Sequence, residues 1–277
     1  MRRYDKEVIM IKSIRYVVSE NISNIYRIFL IAKYEILAEN RDSKLGILWN
    51  VLNPLIQIST YWFVFGIGIR SGKPVDGIEF LDWLLAGMAV WFFISPSIRK
   101  GVTSISSKIK VIRKMKFPVS ILPTTVVVEE TIIHLCMLVI IYVIFLIRGM
   151  VPSLYNFQVL YYLICGMAFS VSLAMITSVL NMFTRDVKKI VNATMRMLMY
   201  ITPILWTMDK MPKNIQKIMK CNPIYYIVQG YRDSFFYHEG ILSNINEMIV
   251  FWVIITTMFI AGSTLMYKFR HRFVDMM

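Results

Sequence analysis

Charge is scarce in this chain: Asp, Glu, Lys and Arg make up 17% of its 277 residues, while 57% are hydrophobic. So little charge cannot solvate the surface of a soluble fold of this length. The longest pieces between apolar runs, residues 1–46 and 208–247, are too short for a nucleotide-binding fold. Only three cysteines occur, Cys136, Cys165 and Cys221; they are scattered, with no metal spacing or disulfide framework, and read as packing residues. His134 and the adjacent Glu129 and Glu130 are the only acid–base groups that converge in apolar sequence, so no catalytic residues are expected. Glu130 and His134 lie one helical turn apart, but a metal site needs a third and a fourth ligand, and none is expected to form. The stretch Gly66–Lys73 superficially resembles a phosphate loop. The pattern nevertheless requires Gly where Ile67 stands and Ser or Thr where Pro74 stands. A cleavable signal is not expected either, because the first long apolar run begins only near Ile47.

What is present is six apolar stretches, 47–69, 80–98, 119–147, 157–181, 190–207 and 248–267. Each is close to the roughly 20 residues that a helix needs to cross the ~30 Å hydrocarbon core. The sequence therefore predicts an all-α integral membrane protein with six transmembrane helices. Of the 31 Lys and Arg, 22 fall in residues 1–46, 99–118, 182–189 and 268–277, eight fall in the alternate segments, and Arg196 lies within a span. By the positive-inside rule both termini are expected in the cytoplasm. The net charge of +14 is then chiefly an orientation signal. Nucleic acid is not expected as a partner, since a basic, aromatic soluble domain is lacking. The predicted organisation is a cytoplasmic segment 1–46, a permease domain 47–267 and a cytoplasmic tail 268–277.

Two cytoplasmic segments read as surface helices. In residues 21–38, Ile22, Ile25, Phe29, Ala32 and Ile36 recur at steps of three and four, as expected of an interfacial helix lying on the inner leaflet. In residues 103–116, Ile105, Ile109, Ile112 and Met115 form a second apolar stripe, with Lys108, Lys110, Arg113 and Lys114 around it. That loop either contacts a cytosolic partner or is held by anionic lipid heads. In the external segment, Asn222 suits an N-cap and Pro223 the first helical position. Ile224, Ile227, Val228, Tyr231 and Phe235 then share one face. This helix either dips into the membrane, with 212–220 as the descending arm of a re-entrant hairpin, or lies outside it as a simple amphipathic helix.

Polar groups within the spans carry the functional signal, because each is costly unless it faces protein or water. Asn50, Asn53, Gln57 and Thr60 fall on one face of the first span, where they would bind sugar hydroxyls and phosphates or, alternatively, neighbouring helices. Pro54 is expected to bend this helix. Glu129 or Glu130 is expected to pair with Arg196 across the third and fifth spans. A proton relay through the same residues would instead indicate an ion-coupled secondary transporter.

The motif order resembles a family. Residues 41–54, RDSKLGILWNVLNP, look like the start of the first span in type-2 ABC exporter permeases that move polysaccharides across the bacterial inner membrane. In the same order follow Trp91-Phe92-Phe93, Lys114–Pro118 with Leu122-Pro123, Arg185-Asp186, Thr202–Trp206, and Asn222-Pro223 with Tyr231-Arg232. The wording of residues 74–77, 91–95 and 115–123 is most similar to that of teichoic-acid export permeases, while O-antigen and capsule exporters share the plan. The resemblance implies a homodimer joined to two copies of a separate ABC ATPase, which binds ATP and Mg while this chain holds no cofactor. It implies a polyprenyl-diphosphate-linked glycopolymer as cargo, wall teichoic acid first. It also implies that Asn50, Asn53, Gln57, Thr60, Tyr61 and Tyr200 line the channel. Lys33, Arg41 and Lys44 would receive the lipid diphosphate, and Ser104, Lys108, Lys110, Arg113 and Lys114 would couple to the ATPase.

Overall fold

The computed structural model describes residues 2–39, 41, 43–69, 71–109 and 117–270. The described residues are almost wholly helical, with one isolated bridge between Val75 and Ile78. Helices α1 (Arg2–Ser23) and α2 (Ile25–Glu39) are separated at Asn24, whose amide turns back to the Glu20 carbonyl at 2.8 Å. α2 buries Ile28 and Ala32, while Ile22, Ile25 and Phe29 from the predicted stripe point outward. The helix thus has a protein-facing and an outward apolar side, which suits a position at a lipid boundary.

The first predicted span is a compound helix: a 3-10 turn Gly46–Leu48, then α3 (Trp49–Tyr61), then π-helical turns over Trp62–Ile69. Pro54 lies inside α3, and the widening to π geometry comes later, at Trp62. The second span, α4 (Phe80–Gly101), sits at the centre and packs against α6 (Ile121–Ile147), α7 (Gln158–Phe183) and α10 (Pro223–Arg232). Between α4 and α6, Ser104–Ser107 form a single turn, α5. The last long helix, α11 (Ile245–Phe269), packs on α7 and carries α1 along its flank. Close approach is made by small residues: a Cβ on Gly101 would meet Ala174 Cβ at 2.7 Å, and one on Gly230 would meet the Tyr162 ring at 2.1 Å.

Among the described residues, five helical segments are long and apolar enough to cross a membrane: Gly46–Ile69, Phe80–Gly101, Ile121–Ile147, Leu154–Phe183 and Ile241–Phe269. The remaining predicted span, 190–207, differs. Its helix, α8, runs over Asp186–Ile201 and has 16 residues, giving ~24 Å at 1.5 Å per residue. It stops because Pro203 disfavours a helical Thr202, which is extended at φ −70°, ψ 136°. Residues 202–207, apolar enough to extend the span on paper, leave the helix and run into the chain's interior, where Thr202, Pro203, Ile204 and Leu205 are buried. α9 (Lys213–Lys220) and α10 follow. The Asn222 side chain caps α10 by accepting from Ile224 N at 3.0 Å, with Pro223 at the first position. All five residues of the expected face, Ile224, Ile227, Val228, Tyr231 and Phe235, are buried.

Candidate functional site

A cavity of about 400 Å³ lies beside α3 at the Gly101 end of α4, and its walls include Asn50, Asn53, Gln57, Trp91, Arg99 and Glu130. The three amides share the cavity because positions i, i+3 and i+7 fall on one helical face. Asn50 Nδ2 is buried without a hydrogen-bond partner, an unsatisfied donor in the cavity wall. Thr60, expected on the same stripe, is exposed and turns its hydroxyl back to the Ile56 carbonyl at 2.9 Å. Tyr61 sits where α3 meets α8, with its hydroxyl 3.6 Å from Met199 Sδ and beside Tyr200. Tyr200 is exposed, and its carbonyl accepts from Trp206 Nε1 at 2.8 Å. The structure thus gathers three of the six predicted channel residues in one cavity and places two more at the adjoining α3–α8 contact.

The ionic arrangement differs from the expected pair. Lys100 Nζ lies 2.8 Å from Glu39, 3.0 Å from Glu129 and 2.8 Å from Glu130. Arg196 pairs with neither Glu129 nor Glu130. α8 turns Met195 and Met199 inward, which leaves Arg196 exposed, whereas Lys100 stands level with the acid pair across the α4–α6 contact. One ammonium serving three carboxylates ties α2, α4 and α6 together at one point. Arg99, its neighbour, lines the α3 cavity and donates from Nε to Asn192 Oδ1 on α8 at 3.1 Å. The sequence reading missed Arg99 and Lys100 because they follow directly on an apolar run and were counted as loop. The available signal was an acid pair inside apolar sequence, which needs a cation from a neighbouring span or its flank.

Lys33, Arg41 and Lys44 are exposed and none of them lines the α3 cavity. Lys108 pairs with Glu35, one turn before Glu39 on α2, so two successive turns of α2 are fastened to the region around α5. Both ion pairs edge a second cavity of about 470 Å³ between α2, α4, α5 and α6. Ser104, at the start of α5, is buried with its hydroxyl unpartnered. Ile105 and Ile109 face inward with Val17, Met175, Val179 and Met266. Lys110, Arg113 and Lys114, together with Ile112 and Met115 of the same stripe, lie outside the described residues.

The Glu130–His134 spacing resolves into two separate contacts. Glu130 faces Lys100, whereas His134 Nε2 meets the Tyr231 hydroxyl at 2.8 Å and its ring stacks on Phe93. Among the described residues no group of three or more metal-ligating side chains forms. The chemistry offered at this end of the bundle is therefore amide, guanidinium and aromatic contact beside a fixed ion cluster. Such groups bind polar, hydroxylated or anionic ligands.

Residues 26–236 match the ABC-2 type transporter family. The chain belongs to that family. The residues that line the α3 cavity all fall within the matched region. Two O-antigen export system permease proteins, both named RfbA and both from Klebsiella pneumoniae, are similar to it: one is 28% identical over 250 residues and the other 26% over 249. Each alignment covers 90% of this chain and 93% of the relative. The RfbA permease of Myxococcus xanthus is 25% identical over 258 residues, covering 90% of this chain and 95% of its own length. With several long apolar helices and this family membership, the chain is a multi-pass membrane protein.

Proposed function

We propose that this chain is the permease subunit of an ATP-driven exporter that moves a lipid-linked glycan from the cytoplasmic to the external side of the bacterial inner membrane. The observation that carries this reading is the amide-lined cavity on α3, a helix whose apolar surface is largely uncovered within the chain, in a member of a transporter family. Asn50, Asn53 and Gln57 offer hydrogen bonds to sugar hydroxyls, and Trp91 lies in the same wall. Two copies of the chain would meet along α3 and α8 to close a path between them. ATP and Mg would be bound by two copies of a separate ABC ATPase. Both termini would then be cytoplasmic, α8 would complete a sixth crossing, and α9–α10 would form a re-entrant pair on the external side. Arg99 joins Lys33, Arg41 and Lys44 as a cation near the expected arrival point of a lipid diphosphate, while the lipid tail stays in the bilayer. Ser104, Lys108, Lys110, Arg113 and Lys114 would face the ATPase.

For the cargo, the full-length similarity to O-antigen export permeases favours an O-antigen-type or capsular polysaccharide over wall teichoic acid. The local wording of residues 74–77, 91–95 and 115–123 supports the teichoic-acid reading as second choice. Co-reconstitution with the ATPase in proteoliposomes tests the assignment. ATP-dependent appearance of lipid-linked glycan on the far leaflet is expected, and movement driven by an ion gradient without the ATPase would overturn it in favour of a secondary transporter. Phosphate analysis of the lipid-linked polymer that accumulates when the chain is deleted separates the two cargoes.

A further inference from the structure

A second cavity, of about 310 Å³, lies at the opposite, Phe80 end of α4, and nothing in the transport path described above uses it. It is at the small end of the ~300–1,000 Å³ typical of small-molecule sites. That is room for a short piece of glycan and not for a lipid tail or a polymer in transit. Its floor is Arg232, which is 1% exposed. The guanidinium donates through Nη1 to the Pro203 carbonyl at 2.9 Å and through Nη2 to the Ile204 carbonyl at 3.0 Å, and it stacks 3.4 Å above the Trp83 ring. Nε has no hydrogen-bond partner, an unsatisfied donor on a buried charged group. The walls add the Tyr225 side chain, the Gln229 amide and the half-buried Trp206.

The charge of this cavity is unlike that of the cavity beside α3. Among the described side chains, Asp76, Asp209, Glu239 and Glu247 face it against Arg232 and Lys220, and Lys220 is already paired with Glu247 at 2.8 Å. Excess carboxylate repels phosphate, whereas carboxylates, an amide and aromatic faces together suit the hydroxyls and apolar ring faces of a sugar. Arg232 links this cavity to the helix break after α8, since its two ligands are the carbonyls directly after Thr202.

We propose that this cavity is a binding site for an unphosphorylated glycosyl segment, holding the emerging glycan at the exit side of the transporter and excluding polyol-phosphate chains. The proposal rests on the glycan-export reading and narrows its cargo class.

The test uses the full transporter in nanodiscs and two probes: the free glycan released by mild acid from the host's lipid-linked polymer, and a glycerol-phosphate oligomer of similar length. Saturation-transfer NMR reads binding. The released glycan is expected to bind, the glycerol-phosphate oligomer to show no saturable binding, and Gln229→Ala or Asp209→Asn to weaken glycan binding at least fivefold. Unchanged glycan binding in both exit-side variants, or equal or tighter binding of the glycerol-phosphate oligomer, would overturn the site. ATP-dependent glycan movement in the same preparations separates the two levels. Transport by the wild type with no effect of the variants on binding removes the site and keeps the exporter, whereas no glycan transport by the wild type removes the exporter itself.

Discussion

Two helices of similar length and apolarity have opposite fates in this molecule. For α4, 78% of the most apolar window is buried within the chain; for the span containing α3, the figure is 11%. α4 is enclosed by α6, α7 and α10, and its glycines are cut to fit: a Cβ at Gly87 would meet Arg232 Nη2 at 2.7 Å. α3 touches the rest of the chain mainly through its π-helical end and α4, and spends its polar residues on a cavity. Hydrophobicity alone does not tell a scaffold helix from one that faces lipid, a second subunit or a ligand path. The polar stripe does, because amides at steps of three and four in an apolar helix must be satisfied by something other than lipid.

If the α4 side is scaffold and the α3 side is path, substitutions should separate into those that damage folding and those that damage transport. The largest folding effect is expected at Gly230→Ala, where the new methyl would collide with the Tyr162 ring. Overpacking of this kind costs ~1–3 kcal/mol, read as a lowered Tm of the detergent-solubilised protein, and in a double-mutant cycle Gly230→Ala should cost less in a Tyr162→Ala background than in the wild type. Lys100→Ala comes next. It strips Glu129 and Glu130 of their cation, and because Lys100 is about one-third exposed the expected loss is ~1–3 kcal/mol, below that of a fully buried pair. Glu130→Gln should recover much of that stability, measured as a double-mutant cycle. Asn53→Ala and Gln57→Ala should change stability by less than ~0.5 kcal/mol while lowering ATP-driven glycan transport several-fold. A transport loss that merely follows Tm in these variants would erase the distinction between the two sides.

A pH dependence on the α10 side completes the set. Burial pushes the Asp233 carboxyl up to about 7, opposed by the Gln229 amide that donates to it at 2.8 Å. A raised carboxyl favours the protonated folded form. Its contribution is full below the ordinary carboxylate range near pH 4, declines as pH rises toward about 7, and is flat above. Thermal stability should therefore fall over that window, and Asp233→Asn should flatten the slope.

Much of the scaffold was legible from local chemistry. Asn222-Pro223 announced the start of α10, and all five residues of its predicted face are buried, because a cap and a helical period are encoded by near neighbours. Pro203 was equally visible, yet apolar residues beyond it led the predicted span on to residue 207, since hydropathy does not register where a backbone turns. The amide stripe was read as a stripe. Its cavity was not, because Arg99, Trp91 and Glu130 arrive from other helices. Charge pairing was the least legible feature: Glu129 and Glu130 called for a cation, and only the α4–α6 packing selects Lys100 over Arg196.

The most direct test places cysteine at Asn53 and Gln57, one at a time, in a chain whose Cys136, Cys165 and Cys221 have been replaced by alanine, assembled with its ATPase in membranes. Both positions are expected to react with a membrane-impermeant thiol reagent during ATP turnover, and to be protected by added lipid-linked glycan. Failure of both to react in every nucleotide state would contradict a water-filled path beside α3.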